Sequence, residues 1–377
     1  MDFSKVGAYM DTLQEVHVPG CDLVVYKDHE MIYRHMSGFR DGNFKQPMRG
    51  DEIFFLYSCS KVFTTCAVMQ LIERGLLNLD DPVSRYLPAF KDLKVEKEGE
   101  IVPANRVLTI RHLMSMQSGL DYETDTPAIR RVLEETDGQA STRQIVDALA
   151  EKPLHFEPGT DFLYSMSHDV LPAIAEVVTG QRFSDYLKEH VFDPLGLPTI
   201  GYTVKEKDRE RVAAQFAFDW ENQQLKQVSN EVRTYRISPC YESGGAGLIS
   251  DVRDYSIFAD TLACGGVSKE GMQILSPEMI QLWSANQLGP RSRRTFDEWK
   301  RLGYTYALGV RTRVDLTKGG LGTAGEFGWD GAAGSCVFID PYRHISIFYA
   351  MHVLDYGYNY DVIHPRLRHL LYEGLDS

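Results

Sequence analysis

Residues 57–63 read Tyr57-Ser58-Cys59-Ser60-Lys61-Val62-Phe63. They open a helical pattern in which Phe63, Ala67, Val68, Leu71 and Ile72 form an apolar stripe and Arg74-Gly75 supplies a C-terminal stop. Ser58 and Lys61 stand three residues apart, so the spacing predicts neighbours on one helical face. A serine hydroxyl is a poor nucleophile until a base removes its proton, and a lysine can do so when burial leaves its amine neutral. The helix N-terminus adds partial positive charge and free N–H groups beside a reacting carbonyl oxygen. Ser60 is the rival nucleophile, but adjacent helical residues diverge, which favours Ser58. Ser-x-x-Lys is frequent by chance and carries weight only in context.

That context lies downstream. Phe156-Glu157-Pro158-Gly159-Thr160-Asp161-Phe162-Leu163-Tyr164-Ser165 leads into a helical pattern from Asp169 to Thr179. Ser243-Gly244-Gly245-Ala246-Gly247-Leu248 and Gly328-Trp329-Asp330-Gly331-Ala332-Ala333-Gly334-Ser335 follow. Thr109–Leu120 and Val191-Phe192-Asp193-Pro194-Leu195-Gly196-Leu197 complete the set. In this order the elements resemble the serine β-lactamase and penicillin-binding-protein family. The resemblance is to its class C branch, closest in motif pattern to the family VIII carboxylesterases, with transacylases and D-aminopeptidases as kin, and it covers nearly the whole chain.

The resemblance implies Ser58 as acylated nucleophile, Lys61 as its hydrogen-bonded base partner and Tyr164 as the motif tyrosine, a shared general base. Gly331-Ala332 fall where the third motif's strand lines the site, and the backbone N–H groups of Ser58 and Ala332 are the implied oxyanion hole. Whether Lys61 or Tyr164 takes the first proton stays open. Two positions depart from the lactamase pattern. Met166 stands where Tyr-x-Asn has its amide, and Trp329 stands where Lys-Thr-Gly has its ammonium. Losing both removes polar grips on an anionic, amide-bearing substrate, and Met166 with Trp329 should suit apolar or aromatic acyl groups. Asp330 is expected near the mouth, where its charge would repel carboxylates.

Helix and strand patterns at both ends bracket the middle. Phe3, Val6, Met10 and Leu13 recur at helical spacing, and two strand-like runs follow, Leu23 to Tyr26 and Met31 to Met36. Cys336 to Ile339 and Ile345 to Val353 mirror them, with an earlier strand candidate from Tyr304 to Arg313 and a last helix from about Asp361 to Leu371. Tight turns between the terminal runs predict antiparallel pairing. The expected fold is α/β of the α+β kind, β-lactamase/transpeptidase-like: an antiparallel sheet flanked by terminal helices, plus a mostly helical insert. Residues 1–57 and 301–377 are expected to form the sheet domain and 58–300 the helical one, with the active site between them. Lys91 to Glu100 reads as a solvated loop.

The formal net charge of −13 argues against a nucleic-acid partner, which calls for clustered basic residues. Apolar runs are too short to span a membrane, and Met1-Asp2-Phe3-Ser4-Lys5 begins no secretory signal, so the expected compartment is the cytoplasm. Six cysteines without a Cys-x-x-Cys pair read as free thiols, and the histidines lack metal spacing. Gly320–Gly325 matches G-x-G-x-x-G, but no helical pattern follows, so a loop is expected there. Ser167 and His168 are expected to cap or pack, and Arg291, Arg293 and Arg294 to lie in a solvated loop. The expected function is a cofactor-free, metal-free serine hydrolase acting on a small-molecule ester or amide, foremost a carboxylesterase. β-Lactamase, D-amino-acid peptidase or transacylase chemistry, or a silent scaffold, are the alternatives.

Overall fold

The computed structural model describes residues 1–230 and 236–377. Seven strands form the main sheet: β1 (Gly20–Lys27), β2 (Glu30–Gly38), β3 (Tyr304–Tyr306), β4 (Arg311–Arg313), β5 (Phe327–Gly328), β6 (Cys336–Asp340) and β7 (Ile345–Met351). Their order is β2-β1-β7-β6-β5-β4-β3, and every neighbouring pair is antiparallel. The central register sets Leu23 opposite Tyr349 and Val25 opposite Ile347. Because side chains alternate across a strand, those four face one side, where they pack against Val6 and Met10 of α1 (Ser4–Asp11) and Leu367 and Leu371 of α5 (His364–Leu375). Val24, Val337, Ile339 and Phe348 face the other side and join the larger core. Sequential strands 304–306 and 311–313 replace the single run expected from Tyr304 to Arg313, with Leu308 and Gly309 in the turn between them.

Between the terminal segments lie α2 (Ser60–Glu73), α3 (Ser167–Thr179) and α4 (Val252–Ala263), among shorter helices. Two stacked aromatic pairs fasten α2 to the sheet through α4. Phe63 lies on Phe258 at 3.8 Å, and Tyr255 lies on Phe348 at 3.9 Å. The expected one-sided apolar stripe on α2 is exceeded: every residue from Ser60 to Leu71 is buried, because helices and sheet enclose it on all sides.

The middle is less helical than expected. Lys94–Lys97 and Glu100–Pro103 pair as a hairpin where a solvated loop was expected, and Gln215–Asp219 pairs with Gln224–Val228. The Arg291–Arg294 stretch lies on a short helix, Pro290–Asp297, with Arg291 bonded to Asp161 at 2.8 Å. Gly320–Gly325 is a loop as expected, tied down by the Arg313 and Arg368 guanidiniums, which donate to the carbonyls of Lys318, Gly319 and Gly320. Among the described residues no helix is long and apolar enough to cross a membrane.

Candidate active site

The chain enters the Ser58 turn from a short strand, Ile53–Phe55, paired antiparallel with Ile249–Asp251. The ladder continues through the Leu56 N–H, which donates to the Leu248 carbonyl at 3.0 Å. This pairing sets the Ser243–Leu248 motif beside Ser58. Tyr57 then adopts a left-handed backbone (φ 46°), uncommon for a residue with a Cβ, and the chain turns into a 3₁₀ turn at Tyr57–Cys59 and on into α2. The Tyr57 hydroxyl donates to Gln215 Oε1, and the Tyr255 hydroxyl donates to the Cys59 carbonyl at 3.0 Å, so side chains from two distant segments hold the turn.

Lys61 lies one helical turn beyond Ser58 and is fully buried. Its Nζ donates to Ser58 Oγ at 3.1 Å, to the Tyr122 hydroxyl at 2.8 Å and to the Gly245 carbonyl at 2.8 Å. It also lies 4.7 Å from the centre of the Tyr164 ring. Burial pushes the ammonium pKa down to about 7, with the nearby Asp169 carboxylate pulling against it. At neutral pH a large share of the amine is therefore uncharged beside the serine hydroxyl.

The Gly245 carbonyl is itself positioned. Asp169, buried in the first turn of α3, accepts from the Tyr241 hydroxyl at 2.7 Å, the Ser243 hydroxyl at 2.5 Å and the Gly245 N–H at 3.4 Å. A Cβ on Gly245 would come within 2.4 Å of Asp169 Oδ2 and 3.4 Å of Lys61 Nζ, so the glycine is what lets this backbone reach both groups. Thr64 secures the preceding residue by donating to the Gly244 carbonyl at 2.7 Å.

The third motif arrives on the end of β5. Trp329 is buried, and its indole N–H donates to the Tyr164 hydroxyl at 2.8 Å. Tyr122 and the half-exposed Trp299 also border the Tyr164 ring, at 5.4 and 5.1 Å between centres. Gly331 lies against the residue two before the serine: a Cβ there would meet the Leu56 carbonyl at 2.4 Å. Its N–H donates to the Ser335 carbonyl at 2.7 Å, closing the turn that carries the partly buried Ala332.

Ser58, Lys61, Tyr164 and Trp329 thus come together through these contacts, with Gly331 against Leu56 and Ala332 on the adjoining turn, while two expected substrate contacts lie elsewhere. Asp330 points to the opposite face of its strand from Trp329. It is buried in an ion cluster, with Arg311 at 2.7 Å and Arg301 at 3.2 Å. Burial works to raise its pKa, but the two guanidiniums outweigh that and hold the carboxyl far below the usual range. Its charge is therefore neutralised internally and does not guard the entrance. Met166 is buried beside Leu120, Thr126 and Leu149 as part of the core. His168 is fully buried, with Nε2 3.4 Å from Thr65 Oγ1, and Ser167 bonds to the Ser118 and Ser165 hydroxyls, so both pack.

Sequence reasoning missed Tyr122, Asp169, the Gly245 carbonyl and Trp299. Their link to Lys61 and Tyr164 is purely spatial, and only the glycine pair in residues 243–248 signalled a close backbone approach.

Comparison with known proteins shows the family. The family model named Beta-lactamase matches residues 6–368. The chain belongs to that family. Esterase EstB of Burkholderia gladioli is 27% identical over 376 residues, covering 92% of this chain and 90% of EstB. The solved structure of EstCE1, described as a hydrolase with promiscuous acyltransferase activity, superposes with a TM-score of 0.79 at 26% identity, covering 98% of both chains. Simvastatin synthase (LovD) from Aspergillus terreus shares the fold at a TM-score of 0.79 and 22% identity, covering 100% of this chain and 98% of that one. This family member is accordingly a hydrolase of the β-lactamase kind with esterase relatives.

Proposed function

We propose that the protein is a carboxylesterase that works through an acyl-Ser58 intermediate on small or apolar acyl esters. The observation that carries this reading is the buried Lys61 amine, with a pKa near 7, hydrogen-bonded to Ser58. Lys61 takes the Ser58 hydroxyl proton as Oγ bonds to the ester carbonyl carbon. The C=O electron pair moves onto oxygen, where the N–H groups of Ser58 and Ala332 receive it. Collapse of the adduct expels the alkoxide, which leaves as an alcohol carrying the proton from Lys61. Water then attacks the acyl-enzyme, gives its proton to the same base, and the acid departs as Ser58 is reprotonated. Tyr164, receiving the Trp329 N–H, is the second group able to hold a proton at the leaving-group oxygen. The catalytic cluster lies at the junction of the sheet unit (1–57 and 301–377) and the unit 58–300, and the cytoplasm is the proposed compartment.

The aromatic wall of Tyr122, Tyr164, Trp299 and Trp329 supports apolar acyl groups over anionic lactams. Labelling by a fluorophosphonate probe tests the nucleophile: wild type should label and Ser58→Ala should not. Equal labelling of both would remove Ser58 from the mechanism. Hydrolysis of p-nitrophenyl butyrate should outpace that of nitrocefin, and faster nitrocefin turnover would overturn the substrate class. Acyl transfer to an alcohol is the second reading, favoured by the acyltransferase activity in the description of EstCE1. Under it, added short alcohols yield a new ester in place of the free acid.

A further inference from the structure

Three donors of different chemistry converge away from the Ser58 cluster. His29 sits in the turn between β1 and β2. Asp260 lies in the last turn of α4, and Cys264 caps that helix. His29 Nδ1 is 2.8 Å from Asp260 Oδ2, and Cys264 Sγ is 3.7 Å from Asp260 Oδ1. The three candidate ligand atoms all lie within 4.8 Å of one another. A tetrahedral zinc ion, with bonds of about 2.0–2.3 Å, sets its ligand atoms roughly 3.3–3.8 Å apart. The sulfur and the histidine nitrogen face different oxygens of Asp260, so a small carboxylate rotation that offers one oxygen to the ion, with the nitrogen–oxygen pair opening by about half an ångström, brings the set to that spacing. Asp260 and Cys264 are four residues apart on one helix and so project from one face, while His29 crosses to them from the sheet.

The electrostatics agree. The C-terminal end of a helix carries partial negative charge and favours a cation. Asp260 is buried, and it also accepts the His29 N–H at 3.3 Å, which fixes the histidine backbone in its left-handed turn (φ 67°). The nearby cations are engaged elsewhere: Lys269 with Glu30 at 2.7 Å and Arg253 with Asp254 at 2.9 Å. A cavity of about 530 Å³, bordered by His29, Asp260, Thr261 and Glu270, gives access from solvent. His29 and Cys264 are themselves partly exposed.

We propose that His29, Asp260 and Cys264 form a binding site for a divalent zinc ion, with water completing the tetrahedron. On binding, the Cys264 thiol gives its proton to the buffer and the sulfur pairs with the metal. The ion fastens the β1–β2 turn to the end of α4, whose other residues stack on α2 and the sheet.

Chelator-stripped full-length protein, titrated with zinc against a chromogenic zinc chelator, should take up one equivalent. Cys264→Ser and His29→Gln should each weaken uptake at least tenfold, and Ser58→Ala should leave it unchanged. Cys240 is the other thiol within reach of solvent among the described residues. In a Cys240→Ser background, zinc should therefore protect Cys264 from a thiol reagent and raise the melting temperature, with neither effect in Cys264→Ser. No stoichiometric uptake, or unchanged uptake in both His29→Gln and Cys264→Ser, would overturn the site.

Discussion

Replacing Lys61 with methionine keeps the volume and removes the titrating group. In the folded protein, burial brings the Lys61 pKa down from the ordinary 10.5 to about 7. Between those values the unfolded chain binds more protons than the folded one, so this residue makes stability rise with pH. At about 1.36 kcal/mol per pKa unit, the burden on the wild type is about 4 kcal/mol at pH 7 and falls to about 1 kcal/mol at pH 9.5. Chemical denaturation of wild type and Lys61→Met at both pH values removes every titration the two proteins share. The wild type should gain about 3 kcal/mol on the variant from pH 7 to pH 9.5. The lost bonds to Ser58, Tyr122 and Gly245 offset the two curves by a constant and leave that slope alone. Ester hydrolysis by the wild type should show a matching limb, falling as pH drops below about 7, where the amine becomes protonated. A stability difference that is flat with pH would mean that Lys61 keeps an ordinary pKa, and the neutral-amine mechanism would fall with it.

Tyr122→Phe removes one of three oxygens around Lys61 Nζ, a loss of about 1 kcal/mol, and kcat/KM for p-nitrophenyl butyrate should fall roughly five- to tenfold with folding little changed. Gly245→Ala drives a Cβ into Asp169 and toward Lys61, so kcat/KM should drop more than tenfold while circular dichroism keeps its shape. Asp330→Ala leaves the buried Arg311 charge uncompensated and should cost about 3–5 kcal/mol in denaturation. The ratio of neutral to anionic ester hydrolysis by the folded fraction should stay unchanged, because the carboxylate does not face the entrance.

The Ser58–Lys61 pair was legible because both partners share one helical turn, where spacing is geometry. The terminal sheet was legible for the same local reason: β7 is apolar on both faces, and its turn to β6 is short. What the sequence hid depends on contacts between distant residues. Asp330 looked like an entrance charge because Arg311, its neutralising partner, stands on a neighbouring strand. Met166 follows Tyr164 by two positions, yet the backbone enters α3 there and carries the thioether into the core. The acceptor at Gly245 is a carbonyl, which every residue possesses, so no letter could mark it. His29 and Cys264 stand 235 positions apart, beyond any spacing rule for metal ligands.

The shell around Lys61 Nζ fits the stereochemistry of both of its protonation states. A neutral amine has two N–H donors and one lone pair. With the Gly245 carbonyl and the Tyr122 oxygen as acceptors, the lone pair is left aimed at the Ser58 hydroxyl. Once protonated, the nitrogen has three donors for the same three oxygens. Proton transfer then needs no rotation of the side chain and leaves no orphaned polar atom on either side of the step. A base caged in this way gives up mobility, and in return the solvent reorganisation that an exposed lysine would have to drive on every turnover is already complete in the resting fold.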